Sequence, residues 1–273
     1  MSRVFSVFIL AMALLLMPNA SVAQSGNTSL VFTNASATGR TGPTQSQLNT
    51  AYSGTDLSGN VTIITQGFQE WTVPYTGTYS IQAFGAQGGN AAYSGGKGAS
   101  ISGEFKLESG DVLKIVVGQK GVISSNSSTR GYAAGGGGGT YVVQSPYTSN
   151  SSILVIAGGG GGGGSGPLGN STDQNGLDGS ISTNGNNGLG PNGSTGGVNG
   201  NGGSAGSNSG SSSGAGFIGN SPSFIGWADG AISFVNGANG SLNNQTNRSD
   251  GGFGGGGGAG YGGGGGGGYS GGG

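Results

Sequence analysis

The chain has 273 residues, of which 70 are glycine, 8 are Lys or Arg and 9 are Asp or Glu, with no cysteine and no histidine. Without Cys there is no disulfide scaffold, zinc–thiolate or iron–sulfur site and no cysteine nucleophile, and without His the usual general base and commonest transition-metal ligand are missing. A formal net charge of −1 leaves no basic excess to displace phosphate counterions, so nucleic acid is excluded as a partner.

In chain order, the first element is an export signal. Arg3 precedes Val4 to Met17, a run apolar except for Ser6, and Pro18 and the small-residue site Ser21-Val22-Ala23 follow. That three-part pattern predicts a secretory signal peptide over residues 1–23, and the run falls short of the ~20 residues that span a bilayer. After cleavage the chain is expected to be secreted or displayed at the cell surface, without spanning a membrane.

A β-domain is predicted over residues 24–157. Eight short runs bounded by Gly, Pro or Asn read as strands: Leu30–Phe32, Val61–Thr65, Phe68–Val73, Thr78–Phe84, Ser100–Leu107, Val112–Val117, Thr140–Val143 and Ile153–Ala157. In the fourth, Tyr79, Ile81 and Ala83 share one face at a period of two. Glu108-Ser109-Gly110-Asp111 has the chemistry of a hairpin turn, and Val112–Val117 reads as a buried central strand. Almost no α-helix is expected outside the signal peptide, so burial must be sheet on sheet.

Residues 158–273 hold 47 of the 70 glycines and are nearly uncharged. So much glycine ordinarily means disorder, since it loses the most backbone entropy on folding and offers no side chain to a core. A three-residue period points the other way: Gly176, Gly179, Ser182, Gly185 and Gly188; Gly190, Gly193 and Gly196; Gly197, Gly200, Gly203 and Gly206. Polyproline-II-like backbone has three residues per turn, so this period leaves one edge bare and lets neighbouring backbones approach and pair laterally. Seven prolines are far below what collagen needs. An array of polyglycine-II helices is therefore expected, plugged by Phe217, Phe224, Trp227, Phe234 and Phe253.

Several motifs carry a family resemblance. Gly42-Pro43-Thr44-Gln45-Ser46-Gln47, Trp71-Thr72-Val73-Pro74, Gly85-Ala86-Gln87-Gly88-Gly89 and Gly118-Gln119-Lys120-Gly121 occur in the order and spacing of the extracellular glycine-rich domain of the anaplastic lymphoma kinase and leukocyte tyrosine kinase receptors, which the chain resembles. The anchors are Gly42, Pro43, Thr44, Gln45, Gln47, Trp71, Pro74, Gly118, Gln119 and Gly121. The resemblance implies a tumour-necrosis-factor-like antiparallel β-sandwich of jelly-roll type with a packed polyglycine-II array, and in the receptors this domain binds a protein ligand. The receptor domain's cysteines are absent, and no kinase motif is present.

Little else suggests chemistry. Asp173, Asn175 and Asp178 place oxygens like a calcium loop but lack the bidentate Glu, and plain Asn/Asp turns explain them. Glu104, Glu108 and Asp111 read as solvated partners of Lys106 and Lys114 rather than a hydrolytic dyad. Phe253, Tyr261 and Tyr269 recur every eight residues and are candidate partner or sugar contacts, or else packing wedges. The expectation is a non-enzymatic module without cofactor that binds an extracellular protein or glycan. The alternatives are a structural coat or matrix protein, or an adhesin-type or ice-binding use of a flat array.

Overall fold

A computed structural model describes residues 29–123, 133–165, 174–189, 193–204, 206, 210–224, 228–244 and 249–273, and the backbone alone of residues 4–8. The proposed cleavage site, Asp173, Gly190 and Trp227 lie outside the described residues.

Strands form within all eight expected runs, the first only at Leu30 and the second only over Val61–Thr62; alternation of buried and more open positions is clear over Gln69–Thr72 and Gly77–Phe84, whereas Thr140–Val143 is buried throughout. They are β2 (Ser29–Leu30), β3 (Val61–Thr62), β4 (Gln69–Thr72), β5 (Gly77–Phe84), β6 (Ser100–Leu107), β7 (Val112–Val116), β8 (Thr140–Gln144) and β9 (Ile153–Ala157). A further strand, β1 (Val4–Phe8), falls within the segment read as the export signal. Helix α1 (Gln45–Ala51) was also not expected. Its start is a capping box, in which the Thr44 hydroxyl accepts from the Gln47 N–H and the Gln47 side chain accepts from the Thr44 N–H. Two of the motif anchors are therefore the two halves of one helix cap. Gln45 is a third, its Oε1 accepting from the Ile63 N–H at 2.6 Å.

The strands make two sheets, ordered β2-β1-β5-β6 and β3-β4-β7-β8-β9. All pairs are antiparallel except β1 with β2 and β1 with β5. As expected, β7 is central in its sheet. The Glu108–Asp111 link departs from expectation, because β6 and β7 belong to different sheets and the turn carries the chain from one to the other. Gly110 takes φ +96, and its N–H donates to the Val73 carbonyl at 2.9 Å, so the turn is tied to the end of β4 instead of closing a hairpin.

Between the sheets lies one apolar core containing Tyr79, Ile81, Ala83 and Leu107 from the first and Trp71, Leu113, Ile115, Val142 and Val155 from the second. The Trp71 ring meets Phe32 and Tyr79 edge-on at 6.0 and 6.1 Å. The alternate residues of β7 and β8, Val116, Tyr141 and Val143, face a second core with Phe68, Phe217, Phe234 and Phe253. Thus the five-stranded sheet is covered on both faces, the outer one by aromatics from the glycine-rich half.

Antiparallel pairing brings the ends of β5, β7 and β9 and the starts of β6 and β8 to one end of the sheets. Thr140 ties the sheets together there, its hydroxyl donating to the Phe84 carbonyl at 2.6 Å and accepting from the Gly118 N–H at 3.0 Å. Beyond this end every connection is glycine-rich, and the segments bond sideways to one another. Along 159–164 the N–H groups address three neighbours in rotation. Gly159 and Gly162 donate to Gly267 and Gly264, Gly160 and Gly163 to Ala86 and Gly89, and Gly161 and Gly164 to Leu177 and Gln174, all within 2.7–3.1 Å. Along 134–139 the rotation repeats, with Ala134 and Gly137 donating to Gly163 and Gly160, Gly135 and Gly138 to Val122 and Gln119, and Gly136 and Gly139 to Gly257 and Gly254. In both runs each neighbour is thus addressed at every third residue.

Close approach explains the composition. A Cβ on Gly138 would overlap the Phe253 carbonyl, one on Gly162 the Ala134 carbonyl and one on Gly121 the Gly135 carbonyl. These obstacles are backbone, which has no rotamer with which to yield. Segments 85–99, 118–122 and 133–139, all before Ala157, take part equally, so the compositional boundary does not separate the two kinds of packing.

Candidate functional site

A groove of about 450 Å³ runs along the array, among segments 158–164, 174–189 and 261–273. Segment 174–179 lies at its edge, bonded on one side to Gly161 and Gly164 and on the other through its own Gly176 and Gly179 N–H groups to Ser94 and Lys97. Gly176 and Gly179 are the positions at which a Cβ would overlap the carbonyls of Gly161 and Gly158. The residues between and beyond them face outward. Ile181 is 79% exposed, and Leu177 and Leu189 are exposed as well. Three large aliphatic side chains thus stand along one groove.

Of the three aromatic candidates, Tyr261 and Tyr269 line this groove, both half-buried. Phe253 is not a surface residue. It is fully buried, its ring held against Gly42 and Gly67, where added Cβ atoms would overlap it, and edge-on to Phe68 at 6.4 Å. It acts as a packing wedge between the array and the sheets. Behind the groove, Tyr141 donates to the Gly268 carbonyl at 3.0 Å, and burial pushes its phenol well above the ordinary tyrosine range.

Asn175 and Asp178 are engaged in structure. Asn175 Oδ1 accepts from the Ser94 N–H at 3.1 Å and Asp178 Oδ1 from the Lys97 N–H at 2.7 Å. Their three-residue spacing matches that of the backbone donors they cap. Among the described residues no cluster of three or more acidic side chains gathers as a metal site. Lys114 pairs with Glu70, its cross-strand partner, at 3.5 Å, rather than with Glu108 or Asp111. Asp111 instead accepts from the Glu108 N–H at 2.8 Å.

Of the remaining motif anchors, Gly42, Pro43, Gly118, Gln119 and Gly121 lie where helix α1, the β7 end and the array meet, and Trp71 and Pro74 lie elsewhere. Trp71 is core, whereas Pro74 is exposed and its carbonyl accepts from the Ser109 hydroxyl. Pro43 is buried and its carbonyl accepts from the Gly67 N–H. Buried Gln119 donates through its backbone to Phe253 and through Nε2 to the Thr41 carbonyl, at 2.9 and 3.3 Å. Gly118 and Gly121 let β7 run into the array, where a Cβ on either would overlap a carbonyl of the 135–138 run. Gly42, Pro43, Gly118, Gln119 and Gly121 thus form the junction, and none of the motif anchors lines the groove.

Asp178 is the one charged side chain among the described groove residues, and its Oδ1 already accepts a hydrogen bond. The groove can offer ring faces, aliphatic contacts and neutral hydrogen-bonding groups. No protein-family model matches the chain. Over 96 residues it is 42% identical to the leukocyte tyrosine kinase receptor of Mus musculus. The matched stretch is 33% of this chain and 11% of the receptor, so the chain is similar to a small part of that receptor. Among the described residues no helix is long and apolar enough to cross a membrane.

Proposed function

We propose that the chain is an exported, non-catalytic recognition module, freed of residues 1–23 by signal cleavage, that binds an extracellular protein or glycan along the groove. Its sheets are read as a tumour-necrosis-factor-like jelly roll and its glycine segments as polyglycine-II helices. The observation that carries the binding reading is the row of exposed Leu177, Ile181 and Leu189 beside Tyr261 and Tyr269. These are apolar and aromatic groups on a rigid frame, the kind of surface that marks interaction sites. The likeness to part of a receptor supports the extracellular setting.

The test is capture of partners and glycan-array binding by the exported protein, compared with Ile181→Asp and Tyr261→Ala variants that keep the parent melting temperature. Binding lost in both variants is the expected result. Equal binding by all three proteins would remove the groove reading. Self-assembly into sheets or fibres with no partner would favour a coat or matrix role instead.

A further inference from the structure

Strand β1 occupies an unusual place. It is the middle strand between β2 and β5, in register from Val4 opposite Thr78 to Phe8 opposite Gln82, and on its other side Ser6 and Val7 lie opposite Ser29 and Leu30. Both of its pairings are parallel, in sheets whose other described pairings are antiparallel. The same residues carry the export pattern, so on the export reading proposed above they are cut away.

What cleavage leaves is a defined gap. Neighbouring strands lie about 4.8 Å apart, so with β1 seated β2 and β5 stand about two spacings from each other, room for one strand. Strand β5 does not depend on β1 for its anchorage, whereas among the described strands β2 pairs with β1 alone and is otherwise held by side-chain burial. On one side Leu30 packs against the main core and Phe32 is buried in it. On the other, β5 is bonded along its full length to β6, and its Tyr79, Ile81 and Ala83 are buried. An emptied gap would expose the backbone donors and acceptors of Thr78–Gln82 over that core, an edge that natural sheets cover or pair.

We propose that this gap is a strand-acceptor site, filled in the exported protein by an extended segment of a partner polypeptide added in parallel to β5. The segment seated there, Val-Phe-Ser-Val-Phe, states the chemistry of the occupant: uncharged and extended, with Phe5 and Val7 opposite the core residues Tyr79 and Ile81. Backbone bonds to β5 supply affinity, and the two apolar positions supply register and selectivity. A gap one strand wide excludes the sheet edge of a second copy, which would bring its neighbouring strands with it, whereas a free peptide segment fits.

The proposal rests on the export reading, and the experiment separates the two. The full chain is expressed in a secreting host, and the protein in the medium is identified by N-terminal sequencing. It is then titrated with a fluorescein-labelled peptide of residues 2–8 while amide exchange is followed in Thr78–Gln82. Cleavage near Ala23, saturable one-to-one binding, slowed exchange at those amides and at least tenfold weaker binding of the Ser6→Pro peptide are expected. A secreted protein that keeps residues 4–8 overturns both signal cleavage and docking, since the gap is then filled from within. A cleaved, exported protein that binds no peptide, that protects those amides unaided or that dimerises through them leaves export standing and overturns the acceptor site.

Discussion

The sheets and the glycine array solve the same problem in opposite ways. In the sheets alternate residues bury side chains such as Trp71, Ile81 and Val142, and burial of apolar surface at about 25 cal/mol per Å² drives packing. The array buries backbone itself. Its glycines contribute almost no apolar side-chain surface, each loses more entropy than any other residue on ordering, and what offsets this is lateral hydrogen bonding at about 1 kcal/mol net per bond together with close contact. A hydrophobic core tolerates exchange among side chains of similar volume. The array tolerates none wherever a Cβ points at a neighbour's carbonyl.

Four substitutions break or sharpen this contrast. The largest effect is expected from Gly138→Val, whose side chain would meet the Phe253 carbonyl; destabilisation above about 4 kcal/mol, the exceptional range, should appear as loss of the cooperative thermal transition. Next is Phe253→Ala, which empties a fully buried wedge and should cost about 3–4 kcal/mol. If sheets and array are one cooperative unit, the variant's near-ultraviolet and far-ultraviolet melts will still coincide; separated melts would show two independent units. Thr44→Ala removes one half of the helix cap and should cost about 1 kcal/mol in urea unfolding, with the array unaffected by amide exchange.

The fourth substitution, comparable with the third at neutral pH, concerns Tyr141. Its folded pKa is raised by burial, so above about pH 10 the unfolded chain loses this proton while the folded chain keeps it. The folded state then binds more protons than the unfolded state, and stability falls as pH rises. Its contribution is intact below that range. Tyr141→Phe should cost about 1 kcal/mol at pH 7 through the lost bond to Gly268, yet decline less steeply in urea unfolding between pH 9 and 11.

The strands were legible because period-two alternation reports burial directly, as in Tyr79, Ile81 and Ala83. Helix α1 was not, since Leu48 is its one buried residue and no apolar stripe exists; the capping pattern Thr44 to Gln47 was the available signal. Strand β1 was hidden because its residues also fit an export signal. In the groove, the eight-residue recurrence found Tyr261 and Tyr269 but could not separate them from Phe253, because in an all-glycine run nothing marks which way a lone aromatic faces. The exposed aliphatics were missed because isolated Leu and Ile among Asn and Gly carry no period. The glycine pattern itself was more informative than it first reads. Runs such as 135–139 are surrounded by other segments, whereas the edge segment 174–179 keeps glycine at Gly176 and Gly179, the positions facing its neighbour.

The rotation of hydrogen-bond partners along 134–139 and 159–164 gives these runs something like a reading frame. One glycine added inside a run shifts every later N–H one place in that rotation, toward the wrong neighbour. Three added glycines restore the phase and leave only one extra cycle of partners to accommodate. Tract length, which composition treats as filler, is in this fold counted in threes.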